Sequence, residues 1–202
     1  MLKRDDIRPL PAGDVAYGGI RAQVYVHTIE HPAGLVLVDT GLIGTHPSLA
    51  RWDLRPRPLP DALVRRVVAV VNTHLHFDHC GGNRLFPGTP IHVQRRELED
   101  ARRGGRDYVA DWVDFAGATY IEHDGEDEIL PALRLLPAPG HTAGHQVVLV
   151  EARDGPVVLG GDVAYSFREL GRDDTEGRHR VLELGALTYL AHVERPKVPE
   201  RR

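Results

Sequence analysis

The segment Thr73-His74-Leu75-His76-Phe77-Asp78-His79 carries three histidines and one aspartate within six residues. It directly follows the run Arg65–Val71 (RRVVAVV), whose uninterrupted apolar residues predict a strand that is buried on both faces. Side chains alternate with period two along an extended strand, so His74 and His76 leave this strand on the same side. Both histidines can therefore bind one metal ion.

The second half of the same segment predicts a second metal ion beside the first. Asp78 and His79 come after the chain has begun to turn, so they can face a neighbouring ion. Imidazole and carboxylate ligands without thiolates suit zinc. The single cysteine, Cys80, adjoins His79, and we interpret it as a small buried residue packed under the loop rather than as a ligand. A chance histidine-rich surface loop is the alternative, which the density of ligand types disfavours.

Three distant residues of ligand type share the placement of His74 at the end of an apolar run. They are His141 after LLPAPG, Asp162 after VVLGG and His192 after LTYLA. Strand ends from two packed sheets can converge on one edge of a sandwich, and glycines beside His141 and Asp162 allow close backbone approach. We therefore predict that these residues complete the site. His179, in the polar stretch DDTEGRHR, is the alternative to His192, although a solvated helix face explains it better.

The rest of the chain is predicted to be rich in strands. Apolar runs predict strands at Arg21–Ile29, Leu35–Val38, Pro90–Val93, Leu133–Leu136, Gln146–Val150, Val157–Leu159 and, last, Ala186–Ala191, and helices at Arg95–Arg103 and Asp173–Leu184. The proline- and arginine-rich stretch Thr45–Pro60 predicts a surface loop. A strand, a glycine-containing turn and an apolar strand ending in aspartate occur at Val24–Asp39 and again at Val147–Asp162. This weak repeat suggests two similar halves that pack as two sheets face to face, with helices outside.

The overall composition limits which classes of protein this chain can belong to. The 202 residues fit one domain, predicted to span residues 1–202, with 42% hydrophobic and 27% charged residues and a net charge of −4. This weakly acidic balance argues against a nucleic-acid partner. No apolar run approaches the ~20 residues of a membrane helix. The N-terminal MLKRDDIRPLP has charges where a signal peptide needs its apolar stretch, and one cysteine fits a reducing compartment, so we expect a cytoplasmic protein without a membrane partner.

Five motifs together resemble the metallo-β-lactamase superfamily and, within it, the N-acyl-homoserine lactonases. They are VDTG (38–41), NTHLHFDHCGGN (72–83), PIHVQRREL (90–98), PGHTAGHQ (139–146) and GGDVAYSF (160–167). The HxHxDH run is specific for the superfamily, whereas the lactonase resemblance rests on HVQRREL and on the pair Asp162 and Tyr165. The resemblance implies an α/β fold, a four-layer αββα sandwich in a single domain.

The resemblance also implies roles for the predicted ligands. His74, His76 and His141 would bind the first metal, Asp78, His79 and His192 the second, and Asp162 would bridge both. The cofactors would be two Zn²⁺ ions, with other divalent metals such as Fe or Mn possible. A hydroxide bridging the metals would be the nucleophile. Asp78, Asp162 and Tyr165 are the predicted catalytic residues: Tyr165 would donate to the developing oxyanion, and a metal-bound carboxylate would pass a proton to the leaving alkoxide.

The function that follows from the resemblance is hydrolysis of a lactone or carboxylic ester by a binuclear zinc hydrolase. The partner would be a small-molecule substrate, and the oligomeric state stays open between monomer and homodimer. A thioesterase of the glyoxalase II kind is one alternative, because it uses the same metal cluster. An iron-dependent redox enzyme of this fold, such as a sulfur dioxygenase, is another. The flavodiiron type carries a carboxylate at the second histidine of the motif, where this chain has His76.

Other residues near the motifs have competing interpretations. Asp39 ends an apolar strand and is either a turn residue or, as we favour, an acceptor for the N–H of a ligand imidazole. His145 is interpreted as a structural histidine bonded inside its loop, because His141 already completes a three-histidine set. Tyr108, Trp112 and Phe115 recur at spacings of four and three, which predicts one face of a helix that belongs to the core.

Overall fold

Two β-sheets form the centre of the fold. The computed structural model describes residues 1–201, with Tyr17 described by its backbone alone. Thirteen strands lie within these residues: β1 Ile7–Tyr17, β2 Ile20–His31, β3 Gly34–Val38, β4 Asp53–Pro56, β5 Val67–Val71, β6 Pro90–Gln94, β7 Thr119–His123, β8 Asp127–Leu130, β9 Leu133–Pro137, β10 Gln146–Val150, β11 Val157–Leu159, β12 Leu187–Leu190 and β13 Val193–Lys197. Six α-helices accompany them: α1 Asp61–Val64, α2 Phe77–Cys80, α3 Arg95–Arg103, α4 Ala110–Val113, α5 Phe167–Leu170 and α6 Glu176–Leu184. Short 3₁₀ turns lie at Arg4–Asp6, Pro47–Leu49 and Asn83–Leu85.

The strand order of each sheet explains where buried strands occur. The first sheet has the order β4-β1-β2-β3-β5-β6-β7, with parallel pairing from β3 through β7, and the second has the order β13-β12-β11-β10-β9-β8. β5 lies inside the first sheet, between β3 and β6, as its apolar run predicts. The prediction that this strand is buried on both faces is wrong at one position, because Val68 is 43% exposed. Val68 lies beside Gly34 of β3, which has no side chain to cover it.

The main core lies between the two sheets. Val36, Val38, Ala69 and Val71 of the first sheet pack in one buried cluster with residues of the second sheet, namely Leu133, Leu135, Val148, Val150, Val157 and Leu159. Helices cover the outer faces. Residues of α6 pack on β10 and β11, and residues of α3 pack on β6. The predicted four-layer αββα sandwich is therefore confirmed.

The suggested internal repeat corresponds to one hairpin in each sheet. β2 and β3 pair antiparallel and lead to Asp39, and β10 and β11 pair antiparallel and lead to Asp162. The predicted strand at Ala186–Ala191 is confirmed as β12, but it is not the final strand, since β13 follows β12 and pairs with it. The predicted helix at Asp173–Leu184 begins later, at Glu176, because Asp173 has a φ of 54° and Thr175 caps the helix through its side chain.

Three strands of the first sheet lie where no strand was predicted, namely β1, β4 and β7. β4 falls inside Thr45–Pro60, which was predicted to be a loop, and it pairs with β1. β1 contains Pro9 and Pro11, which hide it in the sequence because proline cannot donate to a ladder. β4 pairs with β1 only from Gly13 onward, so the missing N–H groups of both prolines cost no bond to β4.

The predicted helical stripe of Tyr108, Trp112 and Phe115 is wrong. Only Trp112 lies in a helix, the four-residue α4, and the three rings pack against three different hydrophobic clusters. Each ring is nevertheless part of the apolar packing, as the core interpretation required. None of the helices within residues 1–201 is both long and apolar enough to cross a membrane.

Candidate metal centre

The structure brings all seven predicted ligands together at one end of the sandwich. The segment 73–79 follows β5 and runs into α2, while the loops after β9, β11 and β12 supply His141, Asp162 and His192. The ligand atoms form three overlapping triads, each with its atoms within 4.8 Å of one another: His74, His76 and His141; His74, His79 and Asp162; and Asp78, His79 and His192.

The first half of the cluster consists of three imidazoles. Nε2 of His141 lies 3.0 Å from Nδ1 of His76. The ring centroid of His74 lies 4.6 Å from that of His76 and 4.7 Å from that of His141. Two histidine nitrogens at this separation share a proton when no cation is present. A metal ion that both nitrogens can reach would replace that proton.

The second half contains the carboxylates. Oδ2 of Asp78 lies 3.9 Å from Nε2 of both His79 and His192. Oδ1 of Asp162 lies 3.4 Å from Nε2 of His79 and 3.2 Å from Nε2 of His192, and its Oδ2 lies 3.6 Å from Nε2 of His141. One oxygen of Asp162 therefore faces each half of the cluster.

In each of three imidazoles, a hydrogen bond at one ring nitrogen directs the other ring nitrogen into the cluster. Nδ1–H of His79 donates to Oδ2 of Asp39 at 2.8 Å, and Nδ1–H of His192 donates to the carbonyl of Gln23 at 2.9 Å. The hydroxyl of Thr73 donates to Asp39, so its oxygen can accept from Nδ1–H of His74 at 3.2 Å. The predicted acceptor role of Asp39 is confirmed. Its φ of 60° shows that it also forms the turn that ends β3.

Several inward-facing atoms have no partner within the described part of the chain. Nε2 of His74, Nε2 of His79 and Oδ1 of Asp162 are fully buried and form no hydrogen bond among residues 1–201. A buried polar atom without a partner costs on the order of 1–3 kcal/mol, so a native chain rarely leaves three of them side by side. Cations bound in the two halves of the cluster would satisfy all three atoms, and these nitrogen and oxygen donors suit zinc. The residues therefore fit a metal centre.

The three imidazoles of the first half are electrostatically suited to bind metal. Burial, followed by repulsion from His79, lowers the pKa of His74 well below its ordinary value. Burial likewise lowers the pKa of His76 and of His141 to about 4. These side chains are therefore neutral at neutral pH, which is the form of histidine that binds metals.

The second half combines opposite charges in the metal-free chain. Burial alone would raise the pKa of Asp162, but His192 and His79 outweigh it and hold that pKa well below its ordinary value. Burial would lower the pKa of His192, but Asp162 and then Asp78 outweigh it and raise the pKa to about 9. This side of the cluster therefore holds protons that a metal ion would displace.

A pocket of about 560 Å³ opens onto the cluster. Its apolar wall consists of Val15, Ile20, Ala22, Trp52 and Phe77. Tyr165 lies at the mouth, 53% exposed, with its hydroxyl 3.5 Å from Nδ1 of His141. Burial, followed by Asp162, raises the pKa of Tyr165 above its ordinary value, so the phenol keeps its proton at neutral pH.

The residues with competing interpretations have different outcomes. His179 lies outside the cluster, exposed and paired with Asp173 and Glu183 at 3.1 Å each. Cys80 is fully buried and donates to the carbonyl of Leu75, which confirms its interpretation as a packing residue. His145 is not bonded inside its loop as predicted, because neither ring nitrogen has a hydrogen-bond partner within residues 1–201. Its ring packs 5.3 Å from that of His74, and burial lowers its pKa to about 3, so it is neutral.

Two residues of the site were not predicted. The carbonyl of Gln23 orients His192, and no sequence pattern identifies a backbone acceptor. Glu97 is fully buried beside the ligand loops, although it lies in the arginine-rich stretch RRELED. The only signal was its occurrence in the motif HVQRREL.

Comparison with known proteins identifies related sequences. A sequence profile described as the metallo-beta-lactamase superfamily matches residues 19–198. An N-acyl homoserine lactonase from a Bacillus species is 32% identical over 163 residues, which cover 71% of this chain. The chain spans 64% of the length of that lactonase. A probable metallo-hydrolase from Mycobacterium bovis is 32% identical over 211 residues, covering 87% of this chain and 66% of the relative.

Solved structures share the fold. A Bacillus thuringiensis AiiA mutant, crystallised with N-decanoyl-L-homoserine at its active site, has a TM-score of 0.79 at 22% identity, covering 95% of this chain and 94% of the other. An N-acyl homoserine lactone hydrolase with its product N-hexanoyl-L-homoserine at the catalytic metal centre has a TM-score of 0.78 at 23% identity, with the same coverage.

Proposed function

The chain belongs to the metallo-β-lactamase superfamily, and we propose that it is a metal-dependent lactonase that opens N-acyl homoserine lactones or closely related esters. The observation that carries the proposal is the pocket, in which an apolar wall leads directly to the histidine and aspartate cluster. An acylated lactone has the same two parts, a polar ring to be opened and an apolar chain. Relatives named N-acyl homoserine lactonases support the same substrate class. Two of them are 32% and 31% identical to this chain and cover 71% of it.

Two divalent cations, which we propose to be zinc, would occupy the two halves of the cluster. His74, His76 and His141 would hold one, Asp78, His79 and His192 the other, and Asp162 would contribute one oxygen to each. When bound, such ions polarise a carbonyl and lower the pKa of a water from 15.7 to about 7, which makes a nucleophile available at neutral pH. Iron or manganese would fit the same donors.

Tyr165 is proposed to donate a hydrogen bond to the substrate carbonyl oxygen. Nε2 of His141 faces the cluster, so its Nδ1–H can donate to the phenol oxygen, which leaves the phenol proton free to point into the pocket. The backbone N–H of Tyr165 donates to Glu169, whose carboxylate also pairs with Arg178. These contacts fix the segment that carries the ring. Asp78, at the inner end of the pocket, is proposed to pass a proton to the leaving alkoxide.

The proposal is tested by measuring hydrolysis of a panel of substrates, with metal content determined on the same sample. The panel contains homoserine lactones with short and long acyl chains, a thioester and a β-lactam. We expect the highest kcat/KM on an acylated lactone and a dependence on chain length, because the apolar wall contacts the chain. A preference for the thioester would favour a glyoxalase II-like enzyme. A coloured, iron-containing protein without hydrolase activity would contradict the proposal and favour the redox alternative.

Tyr165→Phe keeps the ring and removes only the hydroxyl. We expect kcat on the best lactone to fall roughly 10–100-fold, less than the usual loss of an oxyanion donor, because two metal ions also stabilise the developing charge. Metal content and melting temperature should stay at wild-type values. An unchanged kcat would mean that Tyr165 only packs at the mouth of the pocket.

A further inference from the structure

Glu97 connects the two loops that carry the first three histidines. It lies in the first turn of α3 and is fully buried. Its Oε1 accepts from the backbone N–H of Leu75 at 2.9 Å, and Leu75 lies between His74 and His76. Its Oε2 accepts from the hydroxyl of Thr142 at 2.6 Å, and Thr142 follows His141 directly. One carboxylate thus joins both ligand loops.

A third contact joins Glu97 to the ring that packs on His76. The hydroxyl of Tyr108 donates to Oε1 of Glu97 at 3.1 Å, and the ring of Tyr108 lies 4.9 Å from that of His76. The loop after β9 also lies directly on the helix, since a Cβ added to Gly144 would fall 2.2 Å from the backbone nitrogen of Glu97. The first turn of α3 is therefore a common support for His76 and His141.

The bonding of Glu97 is that of an ionised carboxylate. All three partners are donors. Burial holds the pKa of Glu97 above its ordinary value, although the bonds from Thr142, Leu75 and Tyr108 oppose that rise. Burying a carboxylate costs more than burying an apolar side chain of similar size, and well-packed apolar replacements of buried charges are often neutral or stabilising. Packing alone therefore does not explain an acid at this position.

We propose that Glu97 is a positioning residue that holds His74, His76 and His141 in the arrangement needed to bind metal before the ion arrives. This inference rests on the proposed function, because it requires that the cluster binds metal. The carboxylate acts through Leu75 and Thr142 and does not itself reach the ion. Its removal should weaken metal binding at the three-histidine half without removing any ligand.

The test measures zinc affinity of the full-length, metal-free protein by competition with a chromophoric chelator, and the absorption spectrum of the Co²⁺ form. Glu97→Met keeps the volume and removes all three bonds. We expect it to weaken one of the two zinc sites by ~10–100-fold, the range for lost partners of metal ligands, and to alter the Co²⁺ spectrum. Glu97→Gln should restore most of the affinity, because its amide oxygen can accept from Leu75 and Tyr108 while its NH₂ donates to Thr142.

A second pair of variants isolates the link to His141. Thr142→Val removes only the hydroxyl that donates to Glu97 and should weaken the same site by roughly 10-fold, whereas Thr142→Ser keeps the hydroxyl and should restore the affinity. Glu99→Gln is the matched control, since Glu99 lies on the exposed side of α3 and pairs with Arg103. It should bind zinc as the wild type does.

The outcomes separate the positioning role from a structural one. If Glu97→Met lowers the melting temperature of the metal-free protein but binds both zinc ions with wild-type affinity, Glu97 is only a structural residue and the inference is overturned. If Glu97→Met does not fold, the affinities of Thr142→Val and Thr142→Ser decide in the same way. A wild-type protein that binds no zinc would overturn the proposed function itself, and the inference with it.

Discussion

Asp78→Ala is expected to lose about one metal ion per chain and to lower kcat/KM by on the order of 100-fold or more. Losing a metal ligand should reduce metal affinity and activity at least as much as losing a residue that only supports a ligand. Asp78 is the carboxylate of the triad with His79 and His192, and it belongs to neither of the other two triads. Without it, the proposed second ion would keep two imidazoles and one oxygen of Asp162. Elemental analysis and lactone hydrolysis on one sample check both expectations.

The control for Asp78→Ala is Asp124→Ala, an exposed acid whose nearest partner is Arg95 at 3.9 Å. It should keep both metal ions and full activity. Burial is the largest effect on Asp78 and raises the pKa of its carboxyl, so the metal-free fold gains little from this charge. Metal-free Asp78→Ala should therefore melt close to metal-free wild type. A variant that retains two metal ions and normal activity would show that Asp78 is not a ligand.

His192→Ala is expected to weaken binding of the second metal ion by ~10–100-fold or more and to reduce activity in proportion at limiting metal. Its Nδ1–H is fixed by the carbonyl of Gln23, and its Nε2 faces Asp162 and Asp78. The affected site can be identified because His192 does not belong to the triad of His74, His76 and His141. Zinc affinity measured by chelator competition checks this prediction.

His179→Ala is the matched comparison, since it removes the same side chain from the neighbouring surface helix. His179 pairs only with acids of its own region, Asp173 and Glu183, and with Arg201, among the residues described. We expect zinc affinity and activity at the wild-type level. The reverse pattern, with a large loss from His179→Ala and none from His192→Ala, would mean that the C-terminal ligand was assigned to the wrong residue.

The convergence of the cluster was predictable because His74, His141, Asp162 and His192 each lie where an apolar run ends. That rule identified His141, Asp162 and His192 without any knowledge of the strand order. The strand order itself was not predictable, because β1 and β4 contain prolines and arginines, which weaken the apolar pattern of a strand. These strands extend the first sheet beyond β2, and β1 supplies Val15 to the pocket wall.

The supports of the ligands were harder to predict than the ligands. Asp39 was identified because an aspartate at the end of an apolar strand is an unusual place for a charge. Glu97 was not, because a buried acid in the first turn of a helix has the same local sequence as a solvated one. The environment of His145 was mispredicted for a related reason. Burial next to His74 can keep an imidazole neutral without a hydrogen bond, and a sequence does not distinguish that state from a bonded one.

We propose that this chain opens lactones with metal ions held by the seven converging residues. The most direct measurement is a Zn²⁺ titration of the metal-free protein while the hydrolysis of an N-acyl homoserine lactone is followed by acid release. We predict no hydrolysis without metal and a rise that reaches its plateau at about two Zn²⁺ per chain, as expected for a two-metal site. Hydrolysis by the metal-free protein, or none at any zinc concentration, would contradict the account.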